Sequence, residues 1–299
     1  MKKLIALVLA ALLALSLCAA GAEGFTLTAP SGAPALAVAT LATQNPEAFT
    51  FISAETIPAA FAANEADFII APINAGAKLF KAGKSTYRLA AVVTWGNLYF
   101  ASQREGFQLA DMNGAKVTLF GENTINASVA LYALKQNGIE PAEVEYLAGA
   151  ANTQALLLSD AEAIVLTAEP ALTAAKIKND KVTGYAVNDL FREATGFDGY
   201  TQAGLFVRAE TADTQAEAVA SYLKEIEAAA NAEVAVMAEA AVTLEILPNA
   251  KVATAAIPNC AIRYAAATEA KAQVEATAQI DLTQFGGAVP ADDFYYGAE

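Results

Sequence analysis

Along the chain, short apolar and β-branched runs alternate with stretches whose apolar residues recur at helical spacing, the pattern of strands separated by helices. Phe25–Ala29 predicts a strand. Ser31-Gly32-Ala33-Pro34 then opens an apolar helix to about Thr43, with proline just inside the start, where its missing N–H costs nothing. Phe49–Ser53 predicts a second strand, Ile57–Ala63 a short helix, and Asp67–Ala71 a third strand, ended by Pro72 before a helix from about Asn74 to Lys81. Tyr87–Thr94 and Leu98–Ser102 read as strands on either side of Trp95-Gly96-Asn97.

The alternation then restarts. Strands are expected at Lys116–Phe120, Val144–Leu147, Glu162–Leu166 and near Val182–Val187, with helices over Asn123–Gln136, about Asn152–Leu158 and on to about Ile177. Leu205–Arg208 is the last predicted strand. Beyond Asp213 the chain reads as nearly all helix: Val219, Tyr222, Leu223, Ile226 and Ala230 share one face, and a further helix covers Thr268–Ala278. This pattern predicts an α/β protein with mostly parallel sheet covered on both faces. The halves echo each other, Ala66–Pro72 against Ala161–Leu166, each leading into a helix-start signal, Pro72-Ile73-Asn74 and Glu169-Pro170.

Composition narrows what such a fold can do. A length of 299 residues suits one large domain or two lobes with a proper core. The chain contains no histidine, which removes Ser-His and Cys-His nucleophile pairs, imidazole bases and His-containing zinc or iron sites. A net charge of −14 argues against nucleic-acid backbones, which need a basic surface. No cofactor and no metal is implied by any spacing in the sequence.

Met1–Ala22 reads as a secretory signal: Lys2 and Lys3, the apolar run Leu4–Leu17, then Ala20-Gly21-Ala22 as a small-x-small cleavage site. Removing it leaves 16 basic residues against 32 acidic, net −16. Leu15-Ser16-Leu17-Cys18 resembles a bacterial lipoprotein box, with Leu17 where a small residue usually stands. Cleavage after Ala22 is therefore preferred, with lipidation at Cys18 the alternative; either way Cys260 is left without a disulfide partner. The expected location is outside the cytoplasmic membrane, free or lipid-anchored.

Several runs carry a family likeness. Ala29–Ala37, Glu65–Phe80 (EADFIIAPINAGAKLF), Ala90–Ser102 (AAVVTWGNLYFAS), Leu109–Val117, Leu166–Pro170, Ala256–Cys260 and Gly286–Tyr296 together resemble substrate-binding proteins of ABC importers. The nearest group is the nitrate/taurine/alkanesulfonate type, with relatives that bind thiamine-pyrimidine precursors. The resemblance implies a two-lobed, periplasmic-binding-protein-like (type II) fold with a hinge and an interlobe cleft. Lobe one would comprise about 25–101 and the mostly helical 205–299, and lobe two about 102–204. The implied partners are a small-molecule solute, an ABC permease and its ATPase, with no nucleic acid.

Elementary sheet geometry places a site in the same cleft, because ligands collect outside the carboxyl ends of strands, at helix starts with free N–H groups. Four loops qualify: Ser31–Pro34, Pro72–Asn74, Trp95–Asn97 and Gly121–Asn126. Candidate contacts are Ser31, Gly32, Ala33, Pro72, Asn74, Trp95, Asn97, Gly121, Asn123, Thr124 and Glu169. Ser31, Asn74 and Thr124 equally suit helix caps, Trp95 suits the core, and Glu169 suits a helix start favoured by the dipole. None of the four loops holds Lys or Arg; Arg88, Arg104 and Lys78 are the cations within reach. That favours a neutral, zwitterionic or nitrogen-containing aromatic ligand over a small anion. The alternatives to a solute binder are a ligand-sensing module for signalling and, less favoured without histidine, a pyrimidine-biosynthesis-type enzyme on the same fold.

Overall fold

The computed structural model describes residues 24–298, so the leader Met1–Ala22 and Cys18 lie outside the described residues. The first stretch runs β1 (Leu27–Pro30), α1 (Ala33–Leu36), α2 (Ala39–Gln44), β2 (Phe49–Ile52), α3 (Ile57–Ala63), β3 (Phe68–Pro72), α4 (Ile73–Lys81) and β4 (Arg88–Thr94). Next come β5 (Leu98–Ser102), β6 (Lys116–Phe120), α5 (Ile125–Gln136), β7 (Glu143–Leu147), α6 (Ala150–Ser159), β8 (Ile164–Ala168), α7 (Ala171–Lys178), β9 (Thr183–Ala186) and α8 (Val187–Thr195). The chain closes with β10 (Ala203–Val207), α9 (Ala209–Thr214), α10 (Ala216–Ala230), α11 (Val234–Thr243), α12 (Ala250–Ala256), β11 (Ile262–Ala266) and α13 (Ala267–Ile280).

Two sheets result, a six-stranded one ordered β11-β4-β10-β3-β1-β2 and a five-stranded one ordered β7-β6-β8-β5-β9. In the first, β2, β1 and β3 are parallel, while β10 lies between β3 and β4, antiparallel to both. In the second, β7, β6 and β8 are parallel and β5 runs antiparallel to β8 and β9. The central strands are apolar throughout because both faces are covered: Phe68–Ala71 and Ala203–Val207 are buried at every position.

Sheet membership moves both crossings relative to the sequence expectation. β5 was expected in lobe one, but it pairs with β8 and β9, so the chain first crosses at 95–97 rather than after Ala101. It returns between α8 and β10, and Ala203–Gly204 already belong to the first sheet. An apolar strand carries no local mark of the sheet it joins, which is why this boundary is illegible from residues 98–102 alone. Two elements were not anticipated. Val187–Thr195 is a helix rather than the end of a strand, and β11 interrupts the helical tail to pair with the edge of β4.

One apolar cluster runs through both sheets, from Ile69, Leu89 and Phe206 in the first to Leu98, Phe100 and Leu119 in the second, with Trp95 and Tyr200 at the junction. Phe206 anchors it: the ring meets Phe61 edge-on at 5.4 Å and Phe294 at 5.9 Å between centroids. No helix among the described residues is long and apolar enough to cross a membrane. Phe206→Ala should cost about 3–5 kcal/mol, read as a lowered denaturant midpoint. Val236→Ser, at a site 52% exposed, should stay within about 0.5 kcal/mol.

Candidate functional site

The pairing directions bring the carboxyl ends of β1, β3 and β4 to one edge of the first sheet, together with the amino end of β10. In the second sheet the carboxyl ends of β6 and β8 meet the amino end of β5. Both crossings join these two edges, so the loops that follow the strands confront each other beside the crossings.

The crossings are stitched to one another. The Gln202 N–H donates to Thr94 O at 3.0 Å, and Asn188 Nδ2 donates to both Trp95 O at 2.7 Å and Gly96 O at 2.8 Å. Gly96 has φ +81°, and a Cβ there would stand 2.2 Å from the Tyr200 ring, so no side chain fits. The second crossing is held by α13, where Thr277 Oγ1 accepts from Thr201 N–H and Gln273 Nε2 donates to Gly199 O.

Gln202 is the residue on which the site converges. Its carbonyl accepts from the Ile73 N–H at 3.0 Å, tying the 72–74 loop to the crossing. Its Nε2 donates to Asn97 Oδ1 at 3.0 Å and lies 3.4 Å from Asn126 Oδ1, on the first turn of α5 in the opposite lobe. Asn97 in turn donates from Nδ2 to Glu169 O at 2.8 Å and accepts from the Glu169 N–H at its own carbonyl at 2.9 Å. Neither Gln202 nor Asn126 was singled out in the sequence. The local signal available was a glutamine just before an apolar strand, which has no meaning until the two crossings are known to meet.

The expected residues divide. Gly32 sits at φ +102°, ψ −151°, a backbone only glycine adopts readily, with no atom within 4 Å of where a Cβ would be; the backbone there is open to an approaching molecule. Ser31 is exposed and its N–H is bonded to Ile52 O, whereas the Ala33 side chain is buried with Leu36 and Met237. Pro72 ends β3 and precedes α4, and Asn74 stands in the first turn of α4 with Oδ1 closed off from solvent and unpartnered. Gly121 and Asn123 both have positive φ, and Thr124 takes the cap position of α5 but donates its hydroxyl to Gly121 O.

Of the two readings open for Trp95, ligand contact and core, the structure shows it packed as core. It is 3% exposed, its indole N–H donates to Arg263 O at 2.8 Å, and the Arg263 guanidinium covers the ring at 4.0 Å from the centroid. Two of the cations considered within reach are committed elsewhere, Arg88 to Asp213 and Arg104 to Glu162; Lys78 is exposed on α4. Cys260 is buried, donating its thiol to Ala256 O, with burial pushing its pKa up. Among the described residues no cluster of acidic and thiol side chains could hold a metal ion.

No protein-family model matches the chain, and no curated protein matches its sequence. Solved structures do. An ABC transporter structure from Parabacteroides distasonis aligns at TM-score 0.79 with 18% identity, covering 92% of this chain and 99% of that one. The periplasmic aliphatic sulphonate binding protein SsuA from Escherichia coli aligns at TM-score 0.66 with 15% identity, covering 92% of each. A conserved Candida albicans protein with the generic periplasmic binding protein fold aligns at TM-score 0.55 with 11% identity, covering 90% of this chain and 92% of that one. The chain has the periplasmic binding protein fold. In that fold the two crossings are the hinge and the confronted edges are the cleft.

Glu169 is the buried acid of this cleft, 4% exposed, and both carboxylate oxygens accept from Thr173, one from its N–H and one from its hydroxyl. Burial raises its pKa; the Thr173 hydrogen bonds and the charge of Lys176 pull the other way without cancelling the rise. A raised folded-state pKa contributes stability that is present below the unfolded value, about 4.3, and is lost as pH rises through the folded one. Glu169→Gln does not titrate, so unfolding at successive pH values should show the variant gaining on the parent as the pH rises above about 4. A difference independent of pH would mean that Glu169 is not desolvated.

Proposed function

We propose that this chain is the extracytoplasmic solute-binding component of an ABC importer, which closes its lobes on a small organic solute and delivers it to a permease driven by its ATPase. It binds and releases, and carries out no reaction. Export under the leader Met1–Ala22, with Cys18 as the alternative site of a lipid anchor, belongs to the same reading. The observation that carries it is the Gln202 junction, which ties the cleft loops of one sheet to α5 of the other at the hinge of a fold shared with importer components.

The chemistry of the cleft supports an uncharged or zwitterionic solute with hydrogen-bond donors and acceptors side by side, such as an aminopyrimidine or a carboxamide. Gln202 Oε1, Asn126 Nδ2 and the Asn74 amide have no bonding partner among the described residues, and an amide offers both kinds of group. The loops themselves contribute N–H groups but no Lys or Arg; the one guanidinium placed against them is that of Arg263 over the Trp95 ring, and a buried carboxylate stands at Glu169. A sulfonate would have to bind on N–H groups, or draw Arg263 away from the Trp95 ring.

A thermal-shift panel of aminopyrimidines, carboxamides, taurine and alkanesulfonates tests this. A ligand at a hundred times its Kd adds about 2.7 kcal/mol, a rise of roughly 5 °C for a chain of this size. The expected result is a hit among the nitrogen-containing neutral compounds, weakened at least about tenfold by Asn126→Ala, the loss of one buried hydrogen-bonding partner. A hit confined to sulfonates would overturn the ligand class, and no hit in any class would count against solute binding.

A further inference from the structure

Lobe one also touches lobe two through a segment that belongs to none of the cleft loops. After α13 the chain turns through Leu282–Phe285, with Phe285 buried in the core. Two hydrogen bonds between this turn and lobe two end on the opening of α5. Ser128 Oγ donates to Asp281 Oδ2 at 2.7 Å, and Gln284 Nε2 donates to Asn123 O at 2.9 Å. Ser128 Oγ also lies 3.2 Å from Thr124 O, so the Asp281 carboxylate is linked through Ser128 to the 121–126 loop.

Asp281 is prepared for this contact. Its other oxygen accepts from the N–H and hydroxyl of Thr283, which fixes the orientation of the carboxylate. Burial works against the charge, but the hydrogen bonds from Thr283 and Ser128 outweigh it and hold the carboxyl below its ordinary pKa. The acceptor is therefore ionised at neutral pH, and a hydrogen bond to a charged group is worth more than a neutral one.

We infer that Asp281 and Gln284 are positioning residues that latch the two lobes together and hold the 121–126 loop in place from outside the cleft. The latch needs no solute. It raises the fraction of empty protein already closed, and apparent affinity for any molecule that binds the closed form scales with that fraction. The inference goes beyond solute binding and holds whatever the cleft takes.

The test is made on the empty protein, so its outcome is independent of the ligand reading. Spin labels at Lys84→Cys, beyond α4, and Lys135→Cys, near the end of α5, report the separation of the lobes; both positions are exposed, and Cys260 is 0% exposed and resists labelling. The parent should show a dominant short separation. Ser128→Ala and Asp281→Asn should each lower the closed-to-open ratio at least about fivefold, their combination little further, and Ser128→Thr should restore it. Gln284→Ala, which leaves the Asp281 bond in place, should lower the ratio by itself. An open parent, unchanged distributions in the variants, or fully multiplicative effects of Ser128→Ala and Asp281→Asn would overturn the inference.

Discussion

The architecture depends on one insertion: β10, which follows the whole second lobe in sequence, completes the first sheet by entering between β3 and β4. Without it those two strands have no ladder partner on their facing sides, and a buried unpaired backbone is not sustainable. The first lobe therefore closes only when the chain has traversed the second and returned. That forces two crossings to lie side by side, and the return strand is entered through Gln202, whose backbone is bonded to Thr94 on one side and Ile73 on the other.

From this constraint the rest follows in order. Because β10 runs antiparallel to its neighbours, its amino end lies at the carboxyl ends of β3 and β4, which is where helix starts present free N–H groups. The second sheet meets the same hinge with its own carboxyl ends. The cleft is thus a place where backbone donors and side-chain amides from both lobes converge, with the Arg263 guanidinium held over Trp95 at its edge. A core that continues through Trp95 and Tyr200 makes the hinge a packed junction rather than a loose linker.

Much of this was legible in local pattern. Continuous apolar runs such as Phe68–Ala71 mark buried strands, and Pro72 and the Glu169-Pro170 pair mark helix starts at the correct edge. What was not legible depends on partners far away in sequence. Trp95, followed by Gly96-Asn97, reads as either a candidate contact or core, and the partner that covers it, Arg263, lies 168 residues on. The tail reads as helix because alanine dominates it, but Ile262–Ala266 is drawn into a strand by the open edge of β4. Gln202 and Asp281 owe their importance to partners 105 and 153 residues away, and no local spacing encodes that.

The central claim is that a small molecule is read at the Gln202 junction by amide groups from both lobes. The most direct measurement is an NMR titration that follows side-chain NH2 resonances as the compound with the largest thermal shift is added. The account predicts that the Asn126 and Gln202 side-chain signals shift together and saturably, at one equivalent, while that of Asn231, at the end of α10, stays in place. Shifts confined to residues around the cavity of about 240 Å³ beside Phe25 and Tyr222, with Asn126 and Gln202 unmoved, would contradict it.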